Sequence, residues 1–337
     1  MRKNVTMSDI AKQLNVSIVT VSKAIGNKEG VSEELREKIV KLAKEMGYNY
    51  NASQKSDNSK AYYNIGILVH EKFMDTTGNS FYWKVYHSII TILKDNDCFG
   101  ILEILDETYE EQTTIPKVVL ENKVDAIIIL GQFRDTYIDV LYNLGVPALL
   151  LDFYNQNAAY DSIISDSFYG SYMVTNHLIT SGHYDIAFVG NIHATSSILD
   201  RYLGYCKALI EHSIPMEDSY VISDRNKEGK FIEIGLPAKM PTAFVCNCDQ
   251  TAYHLINQLK NKGLKVPDEI SVVGFDNYII STIMDPPLTT VEVNIEGMAE
   301  AAVEAILRKI KYGTNDLGRK IISSNVIYRN SVKKMSE

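Results

Sequence analysis

Ser197, Arg201, Cys248 and Asp276 each fall close behind a short run rich in apolar and β-branched residues. Open α/β sheets bind small molecules at the carboxyl ends of their strands, so these four are candidate ligand-binding residues. An arginine fork facing a carboxylate can hold adjacent hydroxyls of a sugar, or the edge of a base, by charge-assisted hydrogen bonds. A plainer arrangement stays open, in which Arg201 pairs with Asp200 or caps a helix and Asp276 caps a turn. Phe81 supplies an aromatic wall for such a ligand, with Tyr82, Phe153 and Tyr154 as further rings. Cys98, Cys206, Cys246 and Cys248 show no paired metal-ligand spacing, so buried thiols are expected, with no metal and no cofactor. No G-x-S-x-G, G-x-G-x-x-G, phosphate loop or H-E-x-x-H occurs, and His70, His177, His183 and His193 are separated singletons, which speaks against an enzyme.

The elements that must position these side chains are legible as an alternation. From residue 62 onward, strand-like runs at 65–69, 100–105, 126–130, 148–151, 185–189, 220–222, 243–246 and 271–274 are predicted. Helical stretches at 81–95, 112–122, 135–144, 170–181, 199–211 and 250–262 separate them. Alternation of this kind gives parallel sheets covered on both faces, and the repeated strand ending in glycine (DAIIILG, DIAFVG, SVVGFD) divides the body into two similar halves. A long helix within 294–313 and a last strand near 321–326 follow.

The amino end has a different pattern. Thr6 is an N-cap with Asp9 three residues on, and Ile10, Ala11 and Leu14 form one apolar face, predicting a helix over 7–14. Asn15 tolerates left-handed backbone angles and ends it, Val16 buries under the turn, and Ser17 caps a second helix over 18–25. A third helix begins at the N-cap Ser32, with Leu35, Ile39, Leu42 and Met46 on one side and Gly47 at its close. Two short helices joined by a tight turn, with a third packed on them, make a helix-turn-helix unit. Residues 1–60 hold 11 Lys and Arg against 7 Asp and Glu, a net of +4, so the other 277 residues carry −12 of the total −8. A basic head on an acidic body suits a phosphate-binding module tethered to something that does not touch nucleic acid. No apolar run is long enough to cross a membrane, and MRKNVTMSDIAK lacks the apolar core of a signal peptide, so a cytoplasmic protein is expected.

The order T-M-x-D-I-A-x-x-x-x-V-S-x-x-T-V-S-K, at 6–23, resembles the amino terminus of the lactose- and galactose-repressor family. Further motifs follow in that family's order: N-S-F-Y at 79–82, S-G-H at 181–183, D-R-Y-L-G-Y at 200–205, P-T-A at 241–243, V-V-G-F-D-N at 272–277 and P-P-L-T-T-V at 286–291. The resemblance implies a regulator of transcription that binds double-stranded operator DNA as a homodimer and answers to a small effector, a sugar or related metabolite, here as a repressor of carbohydrate-use genes. Purine or other metabolite effectors, or a sugar-binding protein without a regulatory role, are the alternatives. It implies an α/β fold: a small all-α headpiece at 1–48, a hinge linker at 49–61, and a two-lobed body at 62–337 like periplasmic sugar-binding proteins, with parallel sheets. The chain would cross three times between a first lobe, about 62–161 and 292–320, and a second, about 162–291 and 321–333.

Carried over position by position, Ile18 and Val19 become readers of base edges, acting by shape and thymine-methyl contact because neither hydrogen-bonds. Thr20, Ser22 and Lys23 become phosphate or base contacts, and Ser17 meets the backbone at the helix start. Thr6, Asn27, Ser32, Asn51 and Lys55 complete the DNA-binding set. Arg201 and Asp276 match positions that contact the effector from opposite sides of one pocket, and Phe81, Ser197 and Cys248 join them. The family's turn glycine is Asn15 here and its arginine after T-V-S is Lys23, which loses bidentate pairing with guanine. In the hinge, Tyr50 replaces a proline and Asp57 stands where a leucine wedges into the minor groove; an aspartate beside phosphates is repelled. Cys248 stands where many relatives have an asparagine, and 223–240 is shorter and less helical than the family's usual crossover.

Overall fold

The computed structural model describes residues 7–26, 30–46, 62–74, 81–157, 159–226, 229–313 and 317–335. Helices α1 (Met7–Leu14) and α2 (Ile18–Ile25) have the predicted ends, and α3 runs Glu33–Glu45. Asn15 adopts φ +51°, the left-handed angle expected of the turn, and the Val16 N–H returns to the Ala11 carbonyl at 3.0 Å. Ile10, Ala11, Val21, Ala24 and Ile39 are buried together, with Leu14, Val16, Ile18 and Leu35 packed around them. Each fully buried isoleucine contributes about 1.5–3 kcal/mol, enough for three short helices to hold one another. Thr6, Asn27, Gly47, and the linker with Tyr50, Asn51, Lys55 and Asp57, lie outside the described residues.

The chain divides into two compact units, Met1–Ile163 with Ala299–Lys320, and Ile164–Met298 with Ile321–Glu337. In the first, β1 (Asn64–His70), β2 (Phe99–Leu105), β3 (Ala126–Leu130) and β4 (Ala148–Leu151) pair in parallel, with Ile67 opposite both Leu102 and Ile128. The sheet is ordered β11-β5-β4-β3-β1-β2, where β5 is Ser162–Ser165 and β11 is Arg319–Ile322. Every residue of β3 is buried, as its run of isoleucines requires of a strand covered on both faces. Helices α4 (Phe81–Asp95), α5 (Glu107–Glu111), α6 (Lys117–Leu120), α7 (Asp135–Asn143) and most of α12 (Ile295–Tyr312) belong to this unit.

The second sheet is ordered β12-β10-β9-β8-β6-β7, from β6 (Ile186–Val189), β7 (Val221–Ile222), β8 (Ala243–Cys246), β9 (Ser271–Asp276), β10 (Thr289–Glu292) and β12 (Asn325–Ile327). Helices α8 (Ser167–Thr180), α9 (Ser196–Glu211), α10 (Asp249–Asn261) and the short α11 (Ile280–Ile283) accompany it. Gly204 lets α9 approach α8, since a side chain there would run into the Phe168 carbonyl. No described helix is long and apolar enough to cross a membrane.

Three expectations change. The helix expected over 112–122 shrinks to α6, with α5 ending ahead of it at Glu111, because Thr113 turns to φ +50° and Pro116, at the N-cap of α6, cannot continue a helix. β5 and β10 were not expected: each is four residues long, with two serines in the first and three threonine or glutamate residues in the second, too brief and polar for an alternation signal. The single last strand of the second lobe is two strands, β11 beside β5 in the first sheet and β12 antiparallel to β10 in the second. Between them Ser324 is buried, its hydroxyl 3.0 Å from that of Ser165.

Candidate functional site

Two sets of residues stand apart in the structure. On the headpiece, Ser17 is the N-cap of α2: its Oγ accepts the Thr20 N–H at 3.0 Å and lies 2.7 Å from the Thr20 hydroxyl. Ser17 and Ser32 are exposed, and Ile18, Val19, Thr20 and Lys23 are half-buried. Arg36 of α3 donates to the Lys23 and Ala24 carbonyls at 3.4 and 3.3 Å, tying down the last turn of α2. Ser22 is fully buried, and its hydroxyl donates to the Leu144 carbonyl just beyond α7.

The second set lies at the strand ends of the second unit. Arg201, 6% exposed on α9, faces Asp276, the last residue of β9, with Nη2 and Oδ1 3.3 Å apart. The two site residues therefore pair directly with each other from the same unit, rather than from opposite sides of a pocket, and Arg201 pairs with neither Asp200 nor a helix end. Its guanidinium lies 3.9 Å from the centre of the Phe275 ring, Nη1 donates to the Asn247 carbonyl at 2.6 Å and Nε to Ser167 Oγ at 3.4 Å. Asp276 sits at φ +106°, a backbone strain that a carboxylate tolerates only where its surroundings hold it. Ser197 is half-buried at the start of α9, its hydroxyl 3.0 Å from the capping Thr195. Cys248, half-buried, is the N-cap of α10, its Sγ 3.2 Å from Thr251 Oγ1.

Sequence reasoning missed the network beneath. Asp224, 1% exposed, accepts the Asn191 N–H at 2.9 Å, Asn247 Nδ2 at 2.7 Å, Thr251 Oγ1 at 2.6 Å and Arg225 Nη2 at 2.7 Å. Burial alone would raise its carboxyl, but Arg225, Thr251 and Asn247 outweigh it and hold the group below the usual carboxylate range. Asp224 and Arg225 lie two and three residues after β7, a strand expected at 220–222, so the rule that ligands meet strand ends applies to them as it does to Asp276.

Asp249, fully buried, accepts the Tyr278 N–H at 2.7 Å and the Thr290 hydroxyl at 2.5 Å. Burial, and then the charge of Asp276, push its carboxyl up to about 8. Because the unfolded value is near 4, the contribution of this group is fully present below that and is lost as pH rises toward 8. Asp249→Asn keeps an acceptor for Tyr278 and cannot ionise. It should gain on wild type by about 1.4 kcal/mol per pH unit over that window. Urea unfolding at pH 5 and pH 8 checks this: an equal difference at both would show that Asp249 does not titrate there.

In the first unit, Phe81 opens α4 and lies edge-on to Tyr82, centroids 5.3 Å apart. Tyr82 packs on Phe73 at 4.8 Å and donates to Asp152 Oδ2 at 2.9 Å. Phe153 is 1% exposed and part of the core, and Tyr154 carries Arg319 over its ring at 4.6 Å. His70, Glu107 and Glu110 have the separation of a metal site, yet His70 Nδ1 accepts the Lys72 N–H at 3.2 Å, so Nε2 carries a proton toward the glutamates. Arg134 pairs with both glutamates, so the cluster is already engaged as an ion network. The four cysteines are free thiols.

Residues 6–51 match the model of bacterial regulatory proteins of the lacI family, and 175–332 match a periplasmic binding protein-like domain. The chain thus joins a lacI-family helix-turn-helix domain to a periplasmic-binding-protein-like domain. It is 29% identical to the HTH-type transcriptional repressor PurR of Vibrio campbellii, over 98% of this chain and 99% of that protein. It is 28% identical to the probable HTH-type transcriptional repressor ExuR of Bacillus subtilis, with the same coverage. Among solved structures, the lac repressor dimer bound to operator and the anti-inducer ONPF superposes with a TM-score of 0.65 at 24% identity, covering 98% of this chain and all of that one. The transcriptional regulator CelR in complex with cellobiose gives 0.71 at 21% identity, over 97% and 100%. A helical headpiece followed by an α/β body with mostly parallel sheets is the fold of these lacI-family regulators. The chain is accordingly a DNA-binding transcriptional regulator with an effector domain, and not an enzyme.

Proposed function

We propose that the protein is a repressor of carbohydrate-use genes whose operator affinity is set by a small sugar-like effector. The headpiece, 1–48, binds the operator through α2, with the linker 49–61 joining it to the effector body 62–337. The observation that carries the effector reading is the Arg201–Asp276 pair: a guanidinium and a carboxylate 3.3 Å apart at the end of β9, on an aromatic ring, offer a donor and an acceptor to neighbouring hydroxyls. Dimerisation suits the second unit, where Ile279 and Ile283 of α11 are 56% and 74% exposed. α11 packs on α10, whose Tyr253 is 36% exposed and whose His254 carries the exposed Phe231 at 4.9 Å.

Mobility-shift titration of the full chain on promoter fragments, with and without sugars, sugar phosphates and purines, tests the reading. Retarded DNA carrying a palindromic site, with the shift altered by a sugar, is the expected result. Retardation that no sugar changes and that a purine does change would reassign the effector, and absence of any retardation would remove the DNA-binding assignment.

A further inference from the structure

A second guanidinium stands beside the Arg201–Asp276 pair. Arg225 follows β7 and lies over the Phe231 ring at 4.9 Å. Its Nε and Nη2 hold Asp224 at 3.1 and 2.7 Å, and Nη2 also reaches Asn247 Oδ1 at 3.3 Å and Cys248 Sγ at 3.8 Å. Arg201 donates to the backbone carbonyl of the same Asn247, so the two cations rest on two oxygens of one residue. Asp224 is already saturated by donors from Asn191, Asn247 and Thr251 as well as Arg225. Arg225 Nη1 donates to nothing among the described residues, although the side chain is only 16% exposed. This Nη1 edge is not sealed from solvent, and it stands open to an oxygen from outside the chain. Cys248 beside it is a weak acceptor, and the positive end of α10, uncapped by the Cys248 side chain, favours a negative group there.

We infer that Arg225 is a specificity residue for an anionic group on the effector, a carboxylate or a phosphate, bound next to the hydroxyls held by Arg201 and Asp276. This rests on those two residues being the effector site. It narrows the effector to sugar acids or sugar phosphates. A charged oxygen accepts from the open Nη1 more strongly than a neutral hydroxyl does.

The test is isothermal titration and thermal shift of the full chain with galacturonate, with glucose 6-phosphate, and with galactose and glucose as the neutral parents. In wild type at least one acid binds ten- to a hundredfold more tightly than its parent, about the range expected of a charged hydrogen-bonded contact. Which acid does so separates carboxylate from phosphate. Arg225→Gln brings the ratio of acid to parent close to one, whereas Arg225→Lys, which keeps a cation for Asp224, retains a preference. A wild-type chain that answers no acid better than its parent, or an Arg225→Gln chain that folds and keeps the full ratio, overturns the inference. Arg201→Ala tests the underlying site separately: acid binding that survives it places the effector elsewhere, whatever the Arg225 ratio.

Discussion

Arg201→Ala abolishes the response to effector at concentrations that saturate wild type, while the effector-free chain keeps its affinity for DNA. One side chain makes the ion pair with Asp276, the short bond to the Asn247 carbonyl and the contact over Phe275. Charge-assisted hydrogen bonds are worth roughly 1.5–3 kcal/mol each, so losing two from a bound ligand weakens it by about a hundredfold or more. The protein also loses stability: removing one partner of a buried pair costs about 3–5 kcal/mol where both charges are deeply buried and less here, since Asp276 is 15% exposed. Asp276→Asn keeps an acceptor and separates the effects, with a smaller loss of stability and a comparable loss of effector binding. The measurements are calorimetric titration, urea unfolding and mobility shift on the same preparations. If both variants fold and still respond at wild-type effector concentrations, the pair is structural and the ligand binds elsewhere.

How much of this was legible beforehand differs by element. Helices α1, α2 and α4 and strands β3, β4 and β8 have their predicted ends, because each is bounded by a strong local signal: a cap, a positive-φ asparagine, or a run of branched apolar residues that can only be buried. β5, β10 and β11 carry no such signal. Their polar residues are satisfied by tertiary partners, such as the Ser165–Ser324 hydroxyl pair and the N–H of Ser162 on the Gly318 carbonyl, and no local window reveals a partner 159 residues away. The site shows the same limit. Strand-end placement and resemblance single out Arg201 and Asp276 as candidates, but their direct pairing is a property of packing. Asp224, Arg225 and Asn247 read as ordinary turn residues until the fold brings them together beside Cys248.

Operator affinity should fall by about a thousandfold or more as salt rises from 50 to 200 mM, the largest change expected of this protein, because neutralising phosphates releases counterions. The net charge of +4 over residues 1–60, against −12 in the rest, gives the headpiece the sign to do so. Lys23→Ala should flatten the dependence by about one phosphate contact per headpiece, thus about two per dimer. Ser22 behaves differently from Lys23. A hydroxyl has one proton to donate, and the Leu144 carbonyl holds it in the structure, with Ser22 fully buried. With the Ser22 proton held by that carbonyl, Ser22→Ala should change operator affinity less than Lys23→Ala does. Fluorescence anisotropy of labelled operator across a salt series measures both. A slope that Lys23→Ala leaves intact, or binding that survives deletion of residues 1–48, would show that DNA is held by another surface.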